Sequence, residues 1–221
     1  MRLACNALVK FMLGLAFVGA LIFLPAGSLD YTNGWLFIGL LFVPMLILGT
    51  VLLIKSPELL EKRLDAKEKE KTQRGVVAVT GLFFVVGFVV AGLDFRFGWS
   101  EMPYWVVTAA SAVLLVSYAL YAEVMRENAY LSRNIEVQRG QRVIDTGLYS
   151  VVRHPMYAVT VWLFLSIPLV LGSWWSLLCF LPYVFLIAVR IQNEEKVLEE
   201  GLDGYSEYKK RVKYRILPFV W

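Results

Sequence analysis

Residues 155–189 are thirty-five consecutive positions without a charged side chain. As one helix rising 1.5 Å per residue they would reach roughly 52 Å, well beyond the ~30 Å hydrocarbon core of a bilayer. A single crossing does not use up such a run. Leu171-Gly172-Ser173 lies near its middle, a turn signal that predicts a tight helical hairpin of two halves, each of about seventeen residues. Pro168 and Pro182 would kink these halves, which a membrane bundle tolerates where neighbouring groups satisfy the freed carbonyls.

Four apolar segments precede the hairpin. Residues 35–54, 75–93 and 104–122 carry no charge, and each is long enough to cross a bilayer as a helix. The first segment, about residues 7–26, holds Lys10 near its start, where a long side chain snorkels to the interface. A signal peptide is the other reading of this segment. Leu24-Pro25-Ala26-Gly27 offers no clear small-x-small cleavage site and a second span follows at once, so a retained helix is preferred. Of the 221 residues, 58% are hydrophobic and only 18% charged, too few polar groups to cover a water-facing surface. A collagen, a disordered tail and a disulfide-rich module are excluded. The expected fold is an all-α integral membrane protein: four transmembrane helices in residues 1–122, then a region 123–221 containing the C-terminal hairpin and a cytoplasmic pocket.

Lysine and arginine set the expected orientation. The two long connections, residues 55–74 and 123–154, hold seven and five basic residues, while the connection at Asp30 and the hairpin tip hold none and that at Phe97 only Arg96. The positive-inside rule then places the N-terminus, both long loops and the C-terminal tail in the cytoplasm. Of the 22 basic residues, all but Arg96 fall on that side. The net charge of +4 is therefore membrane topology first, and no nucleic-acid partner is expected. Cys5 and Cys179 lie in apolar segments, so neither a disulfide, a metal site nor a thiol nucleophile is expected.

The two long connections differ in kind. Residues 55–74 alternate charge sign through Glu61, Lys62, Asp65, Lys67 and Glu68, the pattern of a solvated helix at the membrane surface. No chemistry is assigned to it. Residues 123–157 contain turn signals at Arg139-Gly140 and Thr146-Gly147 and the sole histidine, His154. The hairpin should bring Arg153-His154 and Arg190-Glu194-Glu195 to one membrane face. Arg190 and Glu194 are four residues apart, so they share one face of the emerging helix. Charged groups at that depth are costly and point to function; an interfacial salt bridge anchoring the hairpin is the plainer alternative. For His154, a structural role at a helix start is the alternative, since Pro155 suits the first turn. Spacing alone thus yields a polar pocket rimmed by Tyr149, Tyr157, Tyr205 and Tyr208 over a hydrophobic hairpin.

The combination is recognisable. Thr146-Gly147-Leu148-Tyr149, Val152-Arg153-His154-Pro155-Met156-Tyr157, the uncharged hairpin, Arg190 before Glu194-Glu195, Tyr205-x-x-Tyr208-Lys209-Lys210-Arg211-Val212 and Leu217-Pro218-Phe219 together resemble the isoprenylcysteine carboxyl methyltransferase family, in its compact prokaryotic form. The Arg-His-Pro-x-Tyr element alone is also similar to phospholipid methyltransferases and some membrane sterol reductases. The resemblance implies an S-adenosylmethionine-dependent methyltransferase of a prokaryotic cell membrane. It implies a cofactor site made by Gln138, Gln141, Arg142, Val143, Ile144, Tyr149, His154, Pro155, Tyr157, Glu194 and Glu195. Arg190 and Glu194 would be catalytic, with Arg190 facing the acceptor's carboxylate. The implied partners are a lipidic or small-molecule methyl acceptor and membrane lipids, with no obligate protein partner. Between Glu194 and Tyr205 the chain is one residue shorter than the usual family spacing and lacks its Phe-Gly-Glu core, with Leu202 and Gly204 standing in. An NADPH-dependent reductase of the same superfamily is the first rival. It is disfavoured by Met156 where the reductases carry asparagine and by Ala158-Val159 after Tyr157. A phospholipid or thiol methyltransferase and a non-catalytic membrane scaffold complete the alternatives.

Overall fold

A computed structural model of the chain describes residues 2–64, 71–132, 135 and 137–221. In order, the helices are α1 (Arg2–Ala26), α2 (Thr32–Lys55), α3 (Pro57–Leu64), α4 (Lys71–Phe97) and α5 (Tyr104–Glu127). A long loop with one 3-10 turn (Gly147–Ser150) follows, then α6 (Pro155–Leu171), α7 (Trp174–Phe180), α8 (Pro182–Gly201) and α9 (Tyr205–Arg211). Among the described residues there is no strand. Five helices are long and apolar enough to cross a membrane: α1, α2, α5, Arg74–Phe97 within α4, and α7 with α8 taken together as Trp174–Gly201. The seventeen-residue α6 is the shorter sixth. The chain is an all-α integral membrane protein. Its large apolar side chains point outward, Leu24, Ile54 and Phe185 each about three-quarters exposed, as a bilayer solvent requires.

The uncharged stretch folds back where the sequence predicts. Gly172 closes α6 at φ 79°, with its N–H on the Leu169 carbonyl at 3.1 Å and the Ser173 N–H on the Pro168 carbonyl at 3.0 Å. Only glycine takes this left-handed cap without strain. The Ser173 hydroxyl then accepts the Ser176 N–H at 3.0 Å and starts α7. Pro168 stays inside α6 near its end. Pro182 opens α8 directly after Leu181, which caps both α7 and α8, so the two helices run on with a joint at the proline, whose missing N–H leaves one ladder bond unmade.

One carboxylate pins this turn. Asp94, 2% exposed near the end of α4, accepts the Ser100 N–H and hydroxyl, each at 2.7 Å, and the Ser173 hydroxyl. Ser100 Oγ in turn accepts the Trp174 N–H at 3.1 Å. Beside this clasp, the buried Tyr31 hydroxyl donates to the Leu171 carbonyl at 2.5 Å. The start of α2, the end of α4, the connection to α5 and the hairpin tip are thereby joined through groups that would otherwise be costly to bury. Along the bundle, α4 approaches α1 so closely at Gly92 that a Cβ there would fall on the Ile22 carbonyl oxygen.

The charged connection departs from the solvated helix expected over residues 55–74. Only α3 and the first turn of α4 fall among its described residues, and residues 65–70 lie outside them. Leu59 and Leu60 of α3 are buried, Leu59 against Val124, Met125 and Leu131, so α3 is a docked element. Lys10 of α1 donates to the Leu64 carbonyl at 2.8 Å, satisfying one of the open carbonyls at the end of α3.

Asp94→Ala should lower stability by about 2–4 kcal/mol, because it leaves several buried donors unpaired. Asp30→Ala, on the exposed α1–α2 connection, should stay within about 0.5 kcal/mol. Thermal unfolding of the two variants in detergent, followed by circular dichroism, checks both.

Candidate active site

Folding the hairpin back places the turn before α6 beside the charged half of α8, and a buried ionic knot holds them together. Glu195 of α8 is 2% exposed. Its Oε1 accepts Arg153 Nε at 2.8 Å, and its Oε2 accepts Arg215 Nε and Nη2 at 3.0 and 2.9 Å. His154 Nε2 lies 3.4 Å from Oε1. Arg153 also donates to the Val212 and Lys213 carbonyls at 2.7 and 2.8 Å. The backbone N–H groups of Arg153 and His154 bond to the Tyr214 and Arg215 carbonyls at 2.9 and 2.8 Å. Three segments distant in sequence, 153–154, 195 and 212–215, become one rigid corner. Charge-assisted bonds of this kind are the strong ones, and their burial is tolerable because both carboxylate oxygens are occupied.

Above the corner lies a cleft with about 850 Å³ of empty space, its open mouth included. Its walls come from the loop after α5, the 3-10 turn, the first turn of α6, α8 and α9. Arg190 and Glu194 share the same face of α8 and both line it, joined through Tyr157: Arg190 Nε donates to the Tyr157 oxygen at 3.0 Å, and the Tyr157 hydroxyl donates to Glu194 Oε2 at 2.5 Å. A cation, a phenol and a carboxylate thus stand in one chain at the floor of the cleft. Tyr149, Tyr205 and Tyr208 form an aromatic wall. Tyr208 Oη donates to the Tyr149 carbonyl at 2.7 Å, and Asn128 Nδ2 donates to Tyr149 Oη at 2.9 Å. Burial is the main force raising all three phenols well above their ordinary pKa, so they stay protonated and act as donors. The Tyr205 hydroxyl is buried with no hydrogen-bond partner among the described residues.

Of the residues singled out from sequence, Gln141, Arg142, Val143, Ile144, Tyr149, His154, Tyr157, Arg190 and Glu194 line the cleft. Gln138, Pro155 and Glu195 do not. Gln138 is used within its own loop, its Nε2 donating to the Tyr130 carbonyl at 2.5 Å and its N–H to Gln141 Oε1 at 2.8 Å. Pro155 sits in the first turn of α6 with no N–H to offer. Glu195 is occupied by the ionic knot. Adjacent carboxylates on a helix point about 100° apart, so Glu194 faces the cleft and Glu195 the corner.

A second depression meets the first. An apolar groove between α4, α6 and α8, lined by Val77, Thr80, Phe84, Thr160 and Ile187, shares Ser132, Met156, Tyr157 and Arg190 with the cleft. Arg63 of α3 also lines this groove. Sequence reasoning assigned Arg63 no chemistry, as one of many charges on a surface helix. Arg215 was likewise not separated from the other basic residues, and Arg153 was placed beside His154 at the end of the hairpin without a role of its own.

Part of the chain is similar to known proteins. Residues 105–203 match the model of the phospholipid methyltransferase family, a segment running from α5 through α8, which supplies most of the cleft. A 97-residue stretch is 31% identical to the uncharacterized protein YpbQ of Bacillus subtilis (strain 168), covering 43% of this chain and 58% of that protein. A 98-residue stretch is 30% identical to the Delta(14)-sterol reductase TM7SF2 of Mus musculus, covering 39% of this chain and 22% of the reductase. The chain thus spans less than two thirds of either curated relative. Residues 105–203, which carry Arg190, Glu194 and the Arg153-His154 corner, are thus similar to the phospholipid methyltransferase family.

Proposed function

We propose that the protein is an S-adenosylmethionine-dependent methyltransferase that acts on a lipidic or small acceptor at the cytoplasmic face of a cell membrane. The observation that carries this reading is the meeting of a polar cleft and an apolar, membrane-level groove at Arg190 and Tyr157. A water-soluble donor and a lipid-borne acceptor require two such approaches to one point. The rich supply of lysine and arginine on the long loops supports the cytoplasmic orientation.

The residues present fit the donor. S-adenosylmethionine carries an ammonium, a carboxylate, ribose hydroxyls and an adenine ring. Glu194 and Arg142 would meet its charged groups, and Tyr149 and Tyr208 its flat ring and cationic centre. The unpartnered Tyr205 hydroxyl is a buried donor that awaits an acceptor, and such groups are rare where nothing binds. When bound, S-adenosylmethionine supplies an electrophilic methyl group on sulfur. The protein's share is alignment and exclusion of water, for which correct positioning alone is worth several kcal/mol. Arg190 would orient the acceptor, because a guanidinium keeps its charge when buried and presents a planar fork. Tyr157 holds Arg190 and Glu194 in fixed relation, so donor and acceptor sites stay in register.

A second reading is favoured by the similarity to the mouse sterol reductase: an NADPH-dependent reductase on the same scaffold. Calorimetric titration in detergent separates the two. The methyl-transfer reading expects heat with S-adenosylmethionine and none with NADPH, and the reverse result would install the reductase. Glu194→Ala should abolish measurable donor binding. Tyr205→Phe should weaken it about five- to tenfold, the value of one buried hydrogen bond.

Two further outcomes follow for labelled-methyl transfer into lipid, thiol and prenyl-peptide pools. Arg190→Ala should cut transfer at least about a hundredfold, in line with loss of a charged positioning group, while donor binding stays within a few fold. Thr80→Trp, which fills the apolar groove, should reduce transfer to long-chain acceptors and spare short ones. Equal effects on both chain lengths would count against entry through the groove.

A further inference from the structure

Another groove lies between α2, α3 and α5, and none of its lining residues belongs to the cleft or to the apolar groove beside it. It holds about 1500 Å³, its open side included. One wall is the end of α2, up to its last residue Lys55, and the other is the end of α5. Both helices are long and apolar enough to cross a membrane, so the groove straddles the boundary where the two spans stop. Val51 and Leu48, one and two turns below Lys55, line its hydrocarbon side together with Ala119. Charged side chains line its outer side. In a bilayer, what fits a groove open to both layers is a lipid lying along it, with its tail below and its head above.

The charges decide which head group. Arg126 and Glu123 are spent on each other, with two hydrogen bonds of 2.8 and 2.6 Å. Lys55, Glu58 and Lys62 remain in the lining, and among the described residues none of the three makes an ion pair. Lys62 reaches the Ala129 carbonyl at 3.5 Å. Glu58 sits in the first turn of α3, where the open N–H groups of the helix favour a negative charge. Two lysines are thus left to the groove, one in the last turn of α2 and one in the last turn of α3. Lysines grouped where spans meet the membrane surface attract anionic lipid heads, and an ammonium is a good point-charge partner for phosphate.

We infer that this groove binds one anionic phospholipid of the surrounding bilayer, its phosphodiester between Lys55 and Lys62 and its chains along Leu48, Val51 and Ala119. The site stands apart from the methyl-transfer reading and does not depend on it. Its effect on the protein runs through α3, an eight-residue helix packed on the bundle through Leu59. Neighbouring residues on a helix point about 100° apart. Lys62 therefore faces the lipid while Arg63 bonds the Tyr121 hydroxyl, in the wall of the apolar groove. A lipid drawn to Lys62 completes the seat of α3 and steadies that wall.

The test uses full-length protein in detergent, with dioleoyl phosphatidylglycerol, phosphatidylethanolamine or phosphatidylcholine added in turn, and native mass spectrometry to count bound lipids. Wild-type protein should hold one phosphatidylglycerol at least about tenfold more tightly than either zwitterionic lipid, the worth of two lysines at one anionic head. Its thermal midpoint should rise with phosphatidylglycerol alone. Lys55→Gln combined with Lys62→Gln should bring the three lipids to parity and remove that rise. Lys210→Gln, at an exposed lysine of α9, should change neither. Ala119→Trp, which fills the groove and keeps both lysines, should also lose the tightly held phosphatidylglycerol. Equal binding of phosphatidylglycerol and either zwitterionic lipid by the wild type would overturn the proposal, as would an unchanged preference in the double variant. Should the double variant fail to fold, the wild-type series and Ala119→Trp still decide.

Discussion

The ion cluster at Glu195 is the constraint on which the site depends. A carboxylate 2% exposed survives at such a depth only with its oxygens fully engaged, and here two arginines from either side of the hairpin engage them. Removing one partner of a buried pair usually costs about 3–5 kcal/mol, because the other charge is left alone. The bonds therefore enforce an all-or-none assembly: the corner before α6, the middle of α8 and the C-terminal segment close together. The C-terminal segment is part of that closure, with Arg215 also 5.0 Å over the Trp221 ring. With the corner closed, Tyr157 is left to join Arg190 and Glu194, and the cleft acquires its floor.

The opposite end of the hairpin is held by different means. There a single carboxylate, Asp94, gathers uncharged donors from Ser100 and Ser173. Between the two ends most contacts are apolar and aromatic, such as Phe84 stacked on Phe180 at 4.9 Å, and these set packing without fixing register along the helix axis, while the Tyr183 hydroxyl donating to Thr160 Oγ1 at 3.0 Å and the Ser176 hydroxyl donating to the Gly87 carbonyl at 2.8 Å add two polar ties. The polar fastenings supply that register. A hairpin tied at both ends holds Arg190 at a set height relative to Tyr157 and to the loop that carries Tyr149.

The hairpin was legible from sequence because length and charge alone decide it: thirty-five uncharged residues exceed one crossing, and Gly172 is where the chain can turn. The meeting of Arg153-His154 with α8 followed from that fold-back. The division of labour between Glu194 and Glu195 did not, since it depends on helix phase relative to neighbours that no local pattern reveals. Gln138 misled for a similar reason, being a loop amide whose partners are its own loop's carbonyl and side chain. Nothing local marks Asp94 as a clasp, because Ser173 reaches it from a segment 79 residues away. Arg63 was hidden by its surroundings: in a helix dense with lysine and glutamate, one inward-facing arginine leaves no compositional trace.

The shortness of α6 has a consequence for where the site sits. Seventeen residues rise about 26 Å, less than the ~30 Å hydrocarbon thickness. With the Gly172 turn at one boundary, the Arg153-His154 corner at the other end of α6 is drawn down to the level of the lipid ester groups. The floor of the cleft is then an indentation in the membrane surface. On the methyl-transfer reading proposed above, an acceptor bound there would keep its tail in hydrocarbon from arrival to departure, and its encounters with the protein would be governed by its mole fraction among the surrounding lipids, not by its concentration in water.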